Sequence, residues 1–393
     1  MKYFRRQQES WLIEALTQFP ACLITGPRQA GKSTLLKKTL KDYNYVNLDD
    51  LSVRALANKD PKYFLEQHPS PLIIDEIQYA PDLLSYIKIK IDNDRSNKGQ
   101  FVLTGSQTFQ VMKGVSESLA GRIAIFDLYP LTWNELGYDP YDYQTYINTL
   151  HRGFYPELHA SKDLNTHVWQ SGYLKTYAER DVRDIKAVDL SQFQIFLEIL
   201  AARAGQTLKL NEISKEVGIA ASTVKEWLSI LESTYIIYLL RPYYANHNKR
   251  LVKSPKLYFV DTGLLCNLLG ITKAAQIEKS PFRGPLFENM VIMEAIKHLE
   301  YTQSPLRPYY YKTSNGLEID LILATTQIQK AYEIKSAMSL HSRMGTNLEL
   351  LKKSHPEAQT YLISLAEKAV GLPHMRNVKC IHFSELPNTL STA

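Results

Sequence analysis

Gly26-Pro27-Arg28-Gln29-Ala30-Gly31-Lys32-Ser33 is the stretch whose reading decides the fold. It fits G-x-x-x-x-G-K-[ST] at every fixed position. Glycines let the backbone curl so that successive N–H groups point inward at an anion. A helix starting at Lys32 would add free N–H donors and the positive end of its dipole. The spacing therefore predicts a polyphosphate cradle: Lys32 neutralises the β- and γ-phosphates and the Ser33 hydroxyl ligates Mg²⁺. Thr34 is expected near the α-phosphate, and Arg28 within the loop is a further phosphate contact. The context agrees. Ala21–Thr25 (ACLIT) is a short apolar run of buried-strand character, and KSTLLKKTLK (32–41) reads as a helix.

Outward from the loop the same alternation continues. YVNL (45–48), PLIID (71–75) and QFVLTG (100–105) are apolar runs of strand length separated by helical segments. Such alternation signifies an α/β domain with a mainly parallel sheet. Upstream, residues 1–18 read as an amphipathic helix with Trp11, Leu12, Ala15 and Leu16 on one face, ended by Pro20. Asp75-Glu76 closes an apolar strand, where open α/β sheets bind ligands. Asp75 is expected to hold Mg²⁺ through water and Glu76 to polarise the attacking water. Thr104 or Ser106 would sense the γ-phosphate or orient that water. Arg122 would reach the γ-phosphate in cis or from a neighbouring subunit.

The 393 residues suffice for two or three domains, and the 45% hydrophobic and 22% charged fractions are globular. No run approaches the ~18 apolar residues of a membrane span, and the N-terminus lacks a secretory core. Cys22, Cys266 and Cys380 are far apart, which points to a reducing, cytoplasmic setting without a zinc site. A net charge of +6 permits a nucleic-acid partner without requiring one.

Residues 130–190 read as helical. Beyond them, helix Asn211–Val217, turn Gly218-Ile219, helix Ala221–Thr234 and strand IIYLL outline a winged helix-turn-helix. Ser222, Thr223, Lys225 and Glu226 would face a DNA groove, and the basic stretch Arg241–Lys256 would contact phosphates. Further on, Glu288 falls in a helix. Glu318 and Asp320 share one face of a strand, and Glu333 and Lys335 are likewise two apart. A tight turn near 326–327 would set Asp320 across from Glu333. Strands are expected near 359–364 and 377–382.

GPRQAGKSTLL, LIIDEIQ, VLTGS and LAGRIAIFDLYPLTWNEL together resemble the AAA-type ATP-binding proteins of bacteria and archaea that carry a C-terminal domain of unknown function. YAERDVRDI (177–185), KSPKLYFVDTGLL (253–265), GPLFENMVIMEA (284–295), GLEIDLIL (316–323) and YEIKSA (332–337) extend the resemblance over nearly the whole chain. It implies an AAA-like P-loop sheet, a winged-helix middle and a restriction-endonuclease-like α/β end. The corresponding division is 1–140, a helical linker 141–190, 191–275 and 276–393. For the last part it implies a PD-(D/E)xK arrangement, in which Glu288, Asp320 and Glu333 hold Mg²⁺ and Asp320, Glu333 and Lys335 act on a phosphodiester. Glu294 is the alternative to Glu288. The expected activity is an ATPase whose nucleotide state alters its C-terminal half. The alternatives are an ATP-gated nuclease and a non-catalytic DNA-binding regulator with ATP as structural ligand. ATP, Mg²⁺, DNA and a second copy of the chain are the expected partners.

Overall fold

The computed structural model describes residues 2–105, 114–115, 117–161, 163–177, 189–243, 254–313, 316–367 and 377–390. The chain forms two compact units. The first comprises Met1–Leu131 with Tyr155–Ala160 and Ser233–Tyr235, and the second comprises the remainder.

The first unit is a five-stranded parallel sheet. Its strands are β1 (Ala21–Thr25), β2 (Asn44–Asn47), β3 (Leu72–Asp75), β4 (Phe101–Thr104) and β5 (Ile123–Asp127), in the order β2-β3-β4-β1-β5. Alternation along each strand decides which helices lie on which face. Ala21, Leu23, Leu72, Ile74, Phe101 and Leu103 share one core with α3 (Leu51–Lys59), α4 (Pro61–Gln67) and α5 (Leu83–Asn93). Cys22, Ile24, Ile73, Val102 and Phe126 share the other with Leu12 and Leu16 of α1 (Glu9–Gln18) and Leu35 and Leu36 of α2 (Lys32–Thr39). Both faces are covered, which is why the inner strands β1, β3 and β4 are buried along their whole length, while the edge strands β2 and β5 are only partly buried. The first helix starts at Glu9 rather than at the chain start. Arg6 N and the Tyr3 hydroxyl both donate to Glu9 Oε1, folding the preceding residues back.

In the second unit, α6 (Leu190–Ala201) precedes α7 (Leu210–Val217), a turn and α8 (Ala221–Ser233). Gly218 ends α7 at φ 76°, the left-handed conformation that costs glycine least. Two antiparallel strands, β6 (Ile237–Leu240) and β7 (Lys256–Phe259), follow. A long helix, α9 (Arg283–Tyr301), leads into a second sheet of β8 (Arg307–Lys312), β9 (Glu318–Ala324), β10 (Ile328–Ile334), β11 (Gln359–Ser364) and β12 (Val378–His382). The order is β12-β11-β10-β9-β8; β8, β9 and β10 run antiparallel, while β10, β11 and β12 are parallel. Helix α10 (Thr346–Ser354) lies between β10 and β11 in sequence and packs Leu348 and Leu351 onto one face. No helix among the described residues is long and apolar enough to cross a membrane.

Candidate functional sites

In the first unit the glycine loop joins β1 to α2. Gly26 has φ 139°, Gln29 59° and Gly31 97°. The backbone thus curls through conformations that side chains resist. At Gly26 space is also decisive: a Cβ would lie 2.2 Å from the Leu128 carbonyl oxygen. Gly31 caps α2 with no side chain, so the first-turn N–H groups keep their donors for a ligand. The Lys32 ammonium, nearly buried, donates to the Gly26 and Pro27 carbonyls at 2.8 Å each and so lies along the loop's inner wall.

Strand order sets the rest of this site. Because β4 inserts between β1 and β3, Thr104 stands between the loop and Asp75. The Thr104 hydroxyl donates to Asp75 Oδ1 and accepts from Glu76 N at 3.3 Å. Thr104 is fully buried, and its hydroxyl is committed to Asp75. In this arrangement it braces the carboxylate beside it. Tyr45, on β2, donates to Asp75 Oδ2. Burial and the Asp75 carboxylate push its phenol pKa up. Tyr45 therefore holds the second oxygen of the carboxylate expected to serve Mg²⁺, a role with no sign in its sequence neighbours. Glu76 is half-buried at φ 59° and accepts from the Gln78 amide. The curled loop, Lys32, Ser33, Asp75 and Glu76 all lie at the carboxyl edge of one sheet. That donor set fits a magnesium-bound polyphosphate.

Arg122 does not join them in cis. It immediately precedes β5, and its carbonyl accepts from Ala21 N at the start of β1. With β5 parallel to β1, Arg122 is a full strand, about 13 Å, from the loop edge. Its guanidinium pairs with Asp92 at 2.7 and 3.0 Å. Ser106 lies outside the described residues. Two supports went unread in the sequence. Buried Arg6 donates to Ala30 O at 2.8 Å and Tyr129 O at 2.6 Å, holding the loop from behind. The Tyr235 hydroxyl donates to Thr25 Oγ1 at 3.0 Å and to Asp127, fixing the ends of β1 and β5.

In the second unit, β9 and β10 meet through the turn at Thr325–Gln327, with Ala324 opposite Ile328. Asp320 accordingly lies across from Glu333, and its Oδ2 accepts from Ile334 N at 2.9 Å. Lys335 Nζ stands 3.2 Å from Glu333 Oε1 and 3.6 Å from Asp320 Oδ2. Glu288 reaches the same place from α9. Glu294, six residues on, is turned about 240° around the helix, where it accepts from Trp133 N and pairs with Lys297. The alternative is thereby removed.

The centre of the cluster holds Lys256, at the start of β7. It is 3% exposed, and its ammonium lies 2.7 Å from Glu318 Oε1 and 3.6 Å from both Glu288 Oε1 and Asp320 Oδ1. The Tyr258 hydroxyl, two residues along, donates to Glu288 Oε1 at 2.7 Å. Lys256 is thus an internal counterion, and its expected phosphate contact is corrected; residues 244–253 of that basic stretch lie outside the described residues. The expected metal trio is also corrected. No group of three or more His, Cys, Asp or Glu among the described residues is arranged to hold a metal. The carboxylates close on an ammonium instead, and a divalent ion does not fit beside it. Burial, reinforced by Asp320, pushes the carboxyls of Glu288 and Glu333 up to about 7.

The comparisons with known proteins follow this division. The profile of an AAA domain matches residues 18–137. A domain of unknown function, DUF8612, matches 143–275, and another, DUF4143, matches 283–386. Uncharacterized protein Rv2008c of Mycobacterium tuberculosis is 31% identical over 376 residues, covering 94% of this chain and 83% of that protein. The chain belongs to this family of AAA-type ATPases with a C-terminal DUF4143 domain. An uncharacterized protein of Haemophilus influenzae is 22% identical over 309 residues, covering 70% of this chain and 74% of its own. Among solved structures, a Walker-type ATPase of Pyrococcus abyssi aligns with 68% of this chain and 96% of its own at 16% identity and TM-score 0.39. The RuvB Holliday junction branch migration motor of Thermotoga maritima aligns with 60% and 90% at 16% identity and TM-score 0.32.

Proposed function

We propose that this AAA-type family member hydrolyses ATP at the 26–34 loop and uses the nucleotide state to act on a nucleic acid in the cytoplasm. The observation that carries hydrolysis is the convergence of the curled loop, Lys32 and Asp75-Glu76 at one sheet edge. The loop amides, from Gly26 through Ser33, grip the phosphates, and Lys32 turns from its loop carbonyls to the β- and γ-phosphates. Thr34, exposed on the first turn of α2, and half-buried Arg28 flank the α-phosphate side. Bound Mg²⁺ supplies positive charge to the phosphate oxygens; Ser33 and Asp75 are the residues to hold it. Glu76 takes the proton of the attacking water. Arg122, a strand's length from the loop of its own chain, acts on a neighbouring subunit's nucleotide, which makes assembly of several copies part of the reading. ATP turnover by the purified protein, set against Lys32→Ala, tests the proposal. Equal rates would remove hydrolysis.

The nucleic-acid part rests on the α7-turn-α8 segment with its two-stranded ribbon. Ser222, Lys225 and Glu226 are exposed at the start of α8, and Thr223 is half-buried beside them. Salt-sensitive duplex binding that weakens in Lys225→Ala supports it. The arrangement at Lys256 favours a non-nucleolytic C-terminal half over a metal-dependent nuclease.

A further inference from the structure

The C-terminal cluster poses a problem of charge. Four carboxylates, Glu288, Glu318, Asp320 and Glu333, are drawn from a helix and two strands into a largely buried cup. Lys256 and Lys335 are the ammonium groups within it, and Lys312 touches Glu318 Oε2 from outside at 2.7 Å. Such convergence of acid groups is costly unless a cation gathers them. Lys256 does the gathering. Its nitrogen faces one oxygen from each of three carboxylates within 3.6 Å, while Tyr258 fixes the Glu288 oxygen from the same strand.

A second observation is a buried carboxylate oxygen in the same cluster that has no partner. Glu333 is 4% exposed, its Oε1 is shared by Lys335 and Asn347, and its Oε2 is buried with no hydrogen-bond partner. A carboxylate oxygen held in this way is an acceptor awaiting a donor or cation. The same site therefore has an oxygen that its ammonium groups leave unsatisfied, and an ammonium seated where a hard divalent cation would find oxygen ligands.

We propose that Lys256 is the resident cation of this cup. The C-terminal domain then works without a divalent metal, and removing the one charge converts the cup into a metal site. A divalent ion cannot take the position between Glu288, Glu318 and Asp320 while the Lys256 ammonium fills it, because at contact separation their repulsion inside the protein is large. With the ammonium gone, Glu318 moves inward by about 0.6 Å and Glu288 and Asp320 by about 1.5 Å each to reach oxygen–metal distances, and Glu333 supplies a fourth arm.

The test titrates full-length protein with Mn²⁺ alone, without nucleotide, and reads free Mn²⁺ by its EPR signal. Wild type, Lys256→Met, which keeps length and loses charge, and Lys256→Met with Asp320→Asn are compared. The single variant is expected to gain one site at least about tenfold tighter than any in wild type, and the double variant to lose it. Mn²⁺ should also raise the melting temperature of Lys256→Met and not that of wild type. An Asp320-dependent site of equal affinity in wild type would overturn the proposal. So would a folded Lys256→Met without added binding. If that variant folds only with Mn²⁺ present, the dependence itself supports the assignment; if Mn²⁺ recovers no folded protein, the cup is not a metal site and the proposal fails. Because no nucleotide is present, the outcome is independent of whether the chain hydrolyses ATP.

Discussion

Glu76 sits at φ 59° with its carboxylate touching Gln78, immediately after the buried Asp75. If it serves as base, Glu76→Gln keeps shape and hydrogen-bonding capacity but loses proton affinity. Turnover should fall by about 10²-fold or more, while ATP affinity, measured by equilibrium binding, stays near wild type. Tyr45→Phe asks a different question. It removes the donor to Asp75 Oδ2, and the expected cost is about 1 kcal/mol of stability, read from denaturant midpoints. Titration marks the other unit. Native Glu288 and Glu333 hold their protons up to about 7, whereas an unfolded glutamate releases its own near the ordinary value of 4.5. Between these values the native state binds more protons, so their contribution to stability is full at the acid end and lost as pH rises through about 7. Chemical denaturation across that window should show a falling slope that flattens in Glu333→Gln.

At the scale of elements, two glycines separate conformational cost from steric cost. Gly218, at φ 76°, has nothing within 4 Å of an added Cβ. Gly218→Ala should therefore cost roughly 1 to 2 kcal/mol through backbone strain, with turnover intact. At Gly26 the Cβ meets the Leu128 carbonyl at 2.2 Å. Gly26→Ala must push the loop away from β5, and loss of ATP binding in a folded protein is the expected result, measured by nucleotide titration with circular dichroism as the fold control.

The whole molecule is built as two compact units with separate sheets. Two transitions are accordingly expected in calorimetry. Mg-ATP should raise the one belonging to the P-loop unit, by about 2.7 kcal/mol at a hundredfold excess over Kd, and Lys32→Ala should abolish the shift. A single transition moved as a body would mean that the units unfold together.

Local pattern was enough for much of this. The 26–33 spacing, the strand-length apolar runs and the 288, 320, 333, 335 series were all legible, because glycine conformation, strand period and two-residue spacing are properties of neighbours in the chain. Even the facing of Asp320 and Glu333 followed from a short hairpin. What stayed hidden depended on groups distant in sequence. Only the insertion of β4 between β1 and β3 puts Thr104 against Asp75; only the parallel direction of β5 carries Arg122 to the far edge. Lys256 read as one more basic residue in a basic stretch, since nothing in its neighbours signals burial. The tertiary structure made it the counterion of three carboxylates from 32 to 64 residues away, because a buried charge must be neutralised by whatever the packing brings within reach.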